Sequence, residues 1–247
     1  MKISVCITTY NGEKYLKEQL DSIICQLKEN DEIIISDDGS SDGTIEIINQ
    51  FNDSRIKLIH NSNLSNFDNI NKSYIVTKNF ENGLKNCSGD IIFLSDQDDI
   101  WHLEKVKECL NIFTNTEFDL ILHDAVIVDV DNHVLFNSYF NKIGSRKGII
   151  RNVYKNSYLG SCMVFRRKIL NISIPFPQNL IAHDIWIGLI AEIFGKVVFF
   201  KKPLLRYRRH DFNVTQSAEK SSNDFFFKIF YRIQLLKDLI LKICIKW

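Results

Sequence analysis

The sequence predicts an α/β fold: a Rossmann-like, mostly parallel sheet flanked by helices, with a C-terminal helical extension. Two observations lead to this prediction. Short runs rich in Ile, Val and Leu alternate with stretches of helical periodicity over the first hundred residues, a pattern typical of parallel sheets. Two of these runs also end directly in acidic loops, at 37–42 and 96–99. Because ligands bind beyond the carboxyl ends of parallel strands, both loops are expected at one edge of the sheet.

The first half of the chain is predicted to contain four buried strands with helices between them. Apolar residues from Leu16 to Leu27 recur on one helical face, with Asn11 as the expected N-cap. A second helical stretch covers Thr44–Phe51, and a third precedes the last strand. The four predicted strands are Lys2–Thr8, Glu32–Ser36, Arg55–His60 and Asp90–Leu94.

The second half continues the alternation with less regular spacing. No internal repeat and no clean domain boundary interrupts it. A basic, apolar tail closes the sequence and is predicted to be helical from Asp224 to Trp247. The other predicted elements are the helices Leu103–Phe113 and His183–Phe194 and the strands or apolar segments Leu120–Val130, Leu159–Phe165, Lys196–Phe200 and Leu204–Tyr207.

The amino-acid composition restricts the class of protein to which this chain can belong. Of 247 residues, 45% are hydrophobic and 25% are charged, which is ordinary for a globular protein. The six cysteines are scattered without metal-like spacing, which predicts buried free thiols in a reducing compartment. The sequence opens without a signal-peptide pattern, and no apolar run reaches the roughly 18 residues of a membrane span. These features predict a cytoplasmic protein.

Charge is unevenly distributed along the chain. Residues 1–195 carry 19 basic and 26 acidic side chains, hence −7, whereas residues 196–247 carry 12 basic and 4 acidic ones, hence +8. Such a basic and apolar tail is typical of a helix that lies in the plane of a membrane. A helix that packs on the domain or on a second subunit has the same pattern. The acidic body and the apolar tail disfavour nucleic-acid binding.

The loop that contains Asp96, Asp98 and Asp99 concentrates three carboxylates in four positions at a strand end. Like charges this close repel one another unless a cation lies among them. Oxygen ligands suit Mn²⁺ or Mg²⁺, which substrate phosphates commonly complete. The alternative is an acidic surface turn, or an N-cap before the next helix.

A second polar loop, Asp37-Asp38-Gly39-Ser40, ends the second predicted strand. A carboxylate at that place can accept hydrogen bonds from a nucleobase N–H or a ribose hydroxyl. Turn chemistry is the alternative, because Asp, Gly and Ser all favour turns, and Ser41 is a plausible cap for the following helix.

Three segments together resemble successive motifs of glycosyltransferase family 2. They are VCITTYNG at 5–12, ISDDGSSDGT at 35–44 and SGDIIFLSDQDDIW at 88–101. The resemblance covers roughly residues 2–215. The form SDQDDIW resembles the rhamnosyltransferase-like branch that builds bacterial surface polysaccharides such as O-antigen and capsule.

The resemblance implies a GT-A fold at 1–215, with a nucleotide-sugar-binding half at 1–101 and an acceptor-binding half at 102–215. Residues 216–247 form the basic amphipathic tail. Asp38 would contact the base, Asp96 would lie near the sugar or ribose, and Asp98 would be the principal metal ligand. The donor-side residues implied by the resemblance are Thr8, Thr9, Tyr10, Asp37, Asp38, Lys78, Asn79, Asp96 and Arg208.

The segment HDIW at 183–186 occupies the place of the family's E-D or H-D motif, which makes Asp184 the candidate general base. A base is required because an acceptor hydroxyl must lose its proton as it attacks the anomeric carbon. An Asp N-cap at the start of the helix is the alternative interpretation. The acceptor-side residues implied are Gly160, Ser161, His183 and Trp186.

The segment RYRRHDFNVT at 206–215 resembles the family's Y-R-x-H-x-x-N-x-T stretch. It implies that His210 is a further metal ligand, beside Asp98 and Asp96. One of Arg206, Arg208 and Arg209 would neutralise the diphosphate leaving group. A structural histidine and a solvated basic cluster are the alternatives.

Together these features predict an inverting, metal-dependent glycosyltransferase with Mn²⁺ or Mg²⁺ as cofactor. Its donor would be a UDP-, dTDP- or GDP-sugar, and its acceptor a saccharide or lipid-linked saccharide, with peripheral contact of the tail at the inner face of the membrane. Two rival functions remain. A nucleotidyltransferase would need a Gly-rich basic loop where this chain has Thr9-Tyr10-Asn11-Gly12-Glu13. A catalytically silent nucleotide-sugar-binding subunit conflicts with the full set of expected carboxylates.

Overall fold

The computed structural model describes residues 1–61, 71–210 and 225–245, with the backbone alone at Phe225 and Ile245. The strands of this part of the chain are β1 Ile3–Thr9, β2 Glu32–Asp37, β3 Ile56–His60, β4 Ile91–Ser95, β5 Ile100–Trp101, β6 Leu120–Val128, β7 Val134–Phe136, β8 Met163–Arg166 and β9 Val197–Arg208. Its α-helices are α1 Leu16–Ile24, α2 Thr44–Gln50, α3 Lys72–Asn86, α4 Lys105–Asn115, α5 Tyr139–Ile143, α6 Ile149–Tyr154, α7 Arg167–Ser173, α8 His183–Phe194 and α9 Phe225–Ile245. A 3-10 turn, Gly160–Cys162, precedes β8.

All nine strands belong to one sheet, in the order β3-β2-β1-β4-β8-β6-β9-β5, with β7 paired to β6. The first four of these neighbours are parallel. Strand β8 then runs antiparallel to both β4 and β6, and β6 is parallel to β9. The predicted α/β fold is confirmed, and β8 is the strand that joins its two halves.

The strand register brings the two acidic loops to the same edge. Thr9 pairs with Asp37 across β1 and β2, and Ile7 pairs with Ser95 across β1 and β4. The carboxyl ends of β1, β2 and β4 therefore lie side by side, as the alternation of strands and helices predicted. These strands are buried on both faces, which explains their continuous apolar character.

Three local predictions were wrong. Helix α1 begins at Leu16 rather than after Asn11; Asn11 instead has a left-handed φ of 47°, and its side-chain oxygen accepts from the Ser41 N–H at 2.8 Å. Ser41 does not cap α2, whose N-cap is Gly43. The two strands predicted between 196 and 207 form the single strand β9, with irregular pairing to β6 near Asp124.

The cysteines are free, as predicted, but not uniformly buried. Cys6, Cys87, Cys109 and Cys162 are buried, whereas Cys25 and Cys244 are exposed. Within the tail, Phe225–Ile245 form the 21-residue helix α9. In the described part of the chain, no helix combines the length and the apolar character that crossing a membrane requires.

Candidate active site

The loop after β2 is organised around Asp37. Its carboxylate accepts hydrogen bonds from the Thr9 hydroxyl at 2.8 Å, from the Gly39 N–H at 3.0 Å and from the Ser40 N–H at 2.8 Å. Gly39 has a φ of 82°, which a residue without Cβ adopts readily. Asp37 is buried, and its carboxylate holds the loop backbone in place. For Asp37, the alternative of turn chemistry is therefore the one that the structure supports.

Asp38, the next residue, lies directly after the end of β2. Its carboxylate accepts from the Asn61 amide at 3.0 Å, and its side chain is partly buried. Burial, together with the charge of Asp37, raises the pKa of Asp38 to about 6. A hydrogen-bond donor from a bound base would offset this cost of burying the carboxylate.

The loop after β1 is tied to the acidic loop after β4. The Tyr10 N–H donates to the Gln97 side-chain oxygen at 2.9 Å, and the Gln97 amide donates back to the Tyr10 carbonyl at 3.1 Å. Thr8 and Thr9 are buried in β1, whereas the Tyr10 ring is exposed beside the edge. Of these three predicted donor residues, Tyr10 is thus the one that presents its side chain to solvent.

The pair Lys78 and Asn79 lies on α3 and makes structural contacts. The Asn79 amide donates to the Ser36 carbonyl at 2.9 Å and to the Thr9 carbonyl at 3.4 Å, where β1 and β2 end. Lys78 forms an ion pair with Glu81 at 2.9 Å. The Asn79 side chain therefore links the ends of β1 and β2 through hydrogen bonds to their backbone.

The acidic loop after β4 is bound on both sides by distant parts of the chain. The Ser161 hydroxyl donates to Asp96 Oδ2 at 2.5 Å. His210 Nε2 lies 2.8 Å from Asp98 Oδ2. Asp99 is fully buried and its Oδ1 accepts from the Arg208 N–H at 3.0 Å, while no hydrogen-bond partner for its Oδ2 lies among the described residues.

In this arrangement the carboxyl groups of Asp96 and Asp99 have higher pKa values than an ordinary aspartate. Burial and the charge of Asp98 raise the pKa of Asp96 to about 7, although the Ser161 hydroxyl acts in the opposite direction. Burial and the same neighbouring charge raise the pKa of Asp99 well above its ordinary value. The repulsion expected from the sequence is therefore present, and a cation beside Asp98 would relieve it.

Arg208 holds the acidic loop rather than facing open solvent. Its side chain is 3% exposed. The guanidinium donates to the Asp98 carbonyl at 3.0 Å, to the Val130 carbonyl at 3.0 Å and to Glu18 at 2.5 Å. Because the guanidinium is already bound to protein oxygens, this structure does not present Arg208 to a diphosphate as the sequence predicted.

The residues predicted to hold a metal partly converge. Asp98 and His210 lie together, whereas Asp96 turns toward Ser161. Within the described ranges, three His or carboxylate side chains have ligand atoms within 4.8 Å of one another at Asp129, Asp131 and His133, in the β6–β7 connection. That group is largely exposed, and its members already bond to one another and to the turn backbone. Asp98 and His210 therefore remain the candidate ligands at the strand edge, and their O and N atoms are chemically suited to Mn²⁺.

Asp184 lies in the first turn of α8, whose N-cap is Ala182. The N-cap interpretation of Asp184 is therefore wrong. Its Oδ1 accepts from the Ile185 N–H at 2.7 Å and its Oδ2 accepts from the Asn156 amide at 3.2 Å. Burial raises the pKa of Asp184 to about 6. Its charge also raises the pKa of Asp96, whose partner Ser161 follows Gly160, the residue that His183 approaches closely.

The predicted acceptor-side residues divide into two groups. Gly160 and Ser161 lie in the 3-10 turn beside Asp96, and the His183 ring stacks on Phe80 with centroids 3.9 Å apart. A Cβ at Gly160 would meet His183 Nε2 at 2.9 Å, so glycine allows this close approach. Burial lowers the pKa of His183 to about 3. Trp186 is 1% exposed and donates to the Ser173 carbonyl at 2.9 Å, so it belongs to the core and its prediction as an acceptor-side residue was wrong.

Sequence reasoning missed Lys105 and Tyr231. Lys105 is fully buried, donates to the Ser161 carbonyl at 2.8 Å and lies 3.9 Å from the Trp101 ring centroid. Burial lowers the pKa of Lys105 to about 8.

Tyr231 belongs to α9, and its buried hydroxyl has no hydrogen-bond partner among the described residues. The charge of Asp184 acts on this hydroxyl and raises its pKa, as burial also does. Lys105 follows the acidic motif by six residues, but no local pattern pointed to Tyr231.

Comparison with known proteins gives a consistent result. The model of the family described as "Glycosyl transferase family 2" matches residues 4–172. The dTDP-rhamnosyl transferase RfbG of Shigella flexneri is 28% identical over 221 residues, which cover 84% of this chain and 72% of that protein. The segment with Asp184, His210 and α9 lies outside the residues that the family model matches.

Two solved structures share the fold. S. aureus TarS 1-349, in complex with UDP-GlcNAc, aligns with a TM-score of 0.70 at 22% identity, over 95% of this chain and 66% of that one. The mannosyltransferase PcManGT from Pyrobaculum calidifontis, in complex with GDP-Man and Mn²⁺, aligns with a TM-score of 0.53 at 16% identity, over 81% of this chain and 54% of that one. This chain thus spans less than two thirds of the length of both solved chains.

Proposed function

The chain belongs to glycosyltransferase family 2, and on that premise we propose that it transfers a sugar from a nucleotide-sugar donor to a saccharide or lipid-linked saccharide in bacterial surface polysaccharide synthesis. One observation carries the proposal. Asp96 bonds to Ser161 in the turn before β8, and the neighbouring Gly160 closely approaches His183, which directly precedes Asp184, so the two carboxyl residues, 88 positions apart in sequence, are linked through one turn. The similarity to a dTDP-rhamnosyl transferase supports sugar transfer from a nucleotide-sugar donor.

The donor end of the proposed site is the edge formed by β1, β2 and β4. Asp38 would accept a hydrogen bond from the base, and the exposed Tyr10 ring lies beside the same edge. A divalent cation bound by Asp98 and His210 would neutralise the negative charge of the donor diphosphate. Arg208 then acts as a positioning residue, because it bonds to the backbone of the loop that carries Asp98.

The proposed reaction is a single displacement with inversion. Asp184 takes the proton of the acceptor hydroxyl as the oxygen attacks the anomeric carbon. The new bond joins that oxygen to the carbon, and the bond to the diphosphate breaks, so the nucleoside diphosphate leaves with the electron pair. A pKa of about 6 keeps Asp184 ionised at neutral pH and still basic enough to accept a proton.

The small number of candidate catalytic groups supports the proposal of inversion. Retention by double displacement requires a second nucleophilic group on the opposite face of the sugar. Asp96 is an alternative carboxyl group, and it already accepts a hydrogen bond from Ser161. A product that kept the anomeric configuration of the donor would contradict the single displacement.

The first experiment is a thermal-shift titration with UDP-, dTDP- and GDP-sugars, each with Mn²⁺, Mg²⁺ or EDTA. We expect one nucleotide class to raise the melting temperature, and only with metal. NMR of the transfer product then reports the anomeric configuration. Donor binding without transfer to any acceptor, in the presence of membranes, would favour a silent binding subunit instead.

A further inference from the structure

Helices α6 and α9 pack against each other and form a surface of exposed apolar side chains. The Arg232 guanidinium of α9 donates to the Tyr154 carbonyl at the end of α6, at 2.7 Å, and lies 4.7 Å from the Tyr154 ring centroid. On α6, Ile150 is 88% exposed. On α9, Phe230 is 69% exposed and Ile233 is 61% exposed. We refer to this region, residues 142–155 together with α9, as the α6–α9 surface.

Helix α9 is apolar on two opposite faces. The inner face packs on the domain through Leu235 and Leu239, which are buried. The outer face carries Phe230, Ile233 and Ile240, all of them exposed. Packing on the domain explains the inner face alone, and contiguous apolar side chains on a surface usually mark an interaction site.

The charges around this surface identify the kind of partner. Residues 142–155 contain five basic side chains and no acidic one, and residues 225–245 contain four basic side chains against the single Asp238. Two copies of this chain meeting at the surface would bring like charges together, which is unfavourable. Anionic lipid headgroups offer the opposite charge, and a helix with apolar and basic residues lies in such an interface.

The candidate base interacts with residues on or next to these two helices. Asn156, two residues beyond α6, donates to Asp184. Tyr231, on the inner side of α9, lies close enough for the Asp184 charge to act on its hydroxyl. A flat partner that covers the α6–α9 surface would therefore lie next to the acceptor end of the site.

We propose that the α6–α9 surface binds an anionic lipid bilayer in plane, with both helices taking part, and that this contact brings Asp184 to acceptor substrates held in the membrane. The second part rests on the proposed function, whereas the binding itself does not. The chemistry required of the partner is a layer of anionic headgroups over an apolar interior.

Flotation of the full chain with phosphatidylcholine vesicles, with and without phosphatidylglycerol, tests the proposal. We expect the wild type to float with the anionic vesicles and to remain behind with phosphatidylcholine alone. Ile150→Glu and Ile233→Glu should each weaken flotation, since one lies on α6 and the other on α9. The double variant Lys147→Glu, Lys155→Glu should weaken partitioning by about fivefold or more for each lysine changed.

Leu135→Glu is the matched control, because Leu135 is an equally apolar residue on β7, 49% exposed and outside both helices. It should float as the wild type does. Equal flotation of all variants, or none of the wild type, would overturn the proposal. So would a dimer that Ile233→Glu converts to a monomer, because a second copy would then be the partner. Donor binding measured on the same samples separates this result from a failure of the proposed transfer.

Discussion

The Ser161 hydroxyl donates to the Asp96 carboxylate at 2.5 Å, and this hydrogen bond links the acidic loop after β4 to the turn before β8. The two residues are 65 positions apart. Strand β8 pairs with both β4 and β6, so the bond lies where the two halves of the sheet meet. The geometry of Asp96 therefore depends on the second half of the chain.

The contribution of three buried carboxyl groups to stability without ligands should fall as the pH rises from about 4 to 7. Asp38, Asp96 and Asp184 have pKa values near 6, 7 and 6, all above the ordinary 3.8. The folded state therefore holds these protons more tightly than the unfolded state, and deprotonation between pH 4 and 7 destabilises it. The buried His183, whose pKa is lowered from 6.5 to about 3, acts in the opposite direction below pH 6.5, so total stability does not isolate the carboxyl groups. Urea unfolding of the wild type and of Asp184→Asn isolates one of them: the stability of the wild type relative to this variant should fall by roughly 1–3 kcal/mol between pH 4 and 7. A relative stability that rises with pH would contradict the assignment.

Asp184→Asn should abolish transfer and leave donor binding intact. The amide keeps an oxygen for the Ile185 N–H but cannot take a proton from the acceptor substrate. General bases commonly contribute 10²–10⁴-fold, so a loss of about that size in kcat is expected. In the wild type, kcat/KM should fall as the pH drops through about 6. Asp131→Asn, on an exposed turn, is the control and should be active. Lost donor binding in Asp184→Asn would indicate a structural role.

Asp98→Ala should eliminate the stabilisation that donor and Mn²⁺ produce together, and His210→Ala should weaken it. The reason is that Asp98 and His210 form the candidate ligand pair at the strand edge. A ligand at 100 times its Kd stabilises a protein by about 2.7 kcal/mol, which thermal shift detects readily. Asp131→Ala tests the second carboxylate and histidine group, at the β6–β7 connection. If that variant, and not Asp98→Ala, lost the effect, the metal site would be there.

Arg208→Lys should destabilise the protein and reduce donor binding. A lysine cannot reproduce the separate bonds from the guanidinium to the Asp98 carbonyl, the Val130 carbonyl and Glu18. Since the side chain is buried, we expect a loss of roughly 2–4 kcal/mol in the free energy of unfolding. For the stability measurement, Arg206→Lys is the matched control, because Arg206 is exposed. Unchanged stability with lost donor binding would show direct contact between Arg208 and the diphosphate.

Tyr231→Phe should raise the KM for the acceptor substrate by about tenfold and leave the KM for the donor unchanged. The hydroxyl is buried beside Asp184 without a partner among the described residues, and a sugar hydroxyl would supply one. Loss of one such hydrogen bond is worth roughly a factor of ten. Tyr154→Phe, with an exposed ring on α6, should behave as the wild type. Equal kinetics for the two variants would assign Tyr231 to packing alone.

Much of the fold follows from local patterns. Strands β1, β2 and β4 and helix α8 were predicted to within about a residue, because continuous apolar runs and helical periodicity are properties of neighbouring residues. The prediction for Asn11 was wrong because that residue adopts a left-handed backbone conformation and binds the opposite loop. The prediction for Trp186 was wrong because an aromatic residue beside a functional motif can equally fill the core.

The sequence by itself determined that strands and helices alternate in the first half of the chain and that two acidic loops directly follow strands, since strand and loop positions along the chain depend on contiguous residues. Only the tertiary structure decided how each carboxylate is used. Asp37 closes its own loop, Asp96 meets Ser161, and Asp98 meets His210 across 112 positions. The physical reason is that pKa values and hydrogen-bond partners depend on burial and on groups distant in the chain. The same holds for helix α9. Its apolar sequence pattern is compatible with contact to a membrane, a partner or the domain, and only the tertiary structure shows which of its faces packs on the domain.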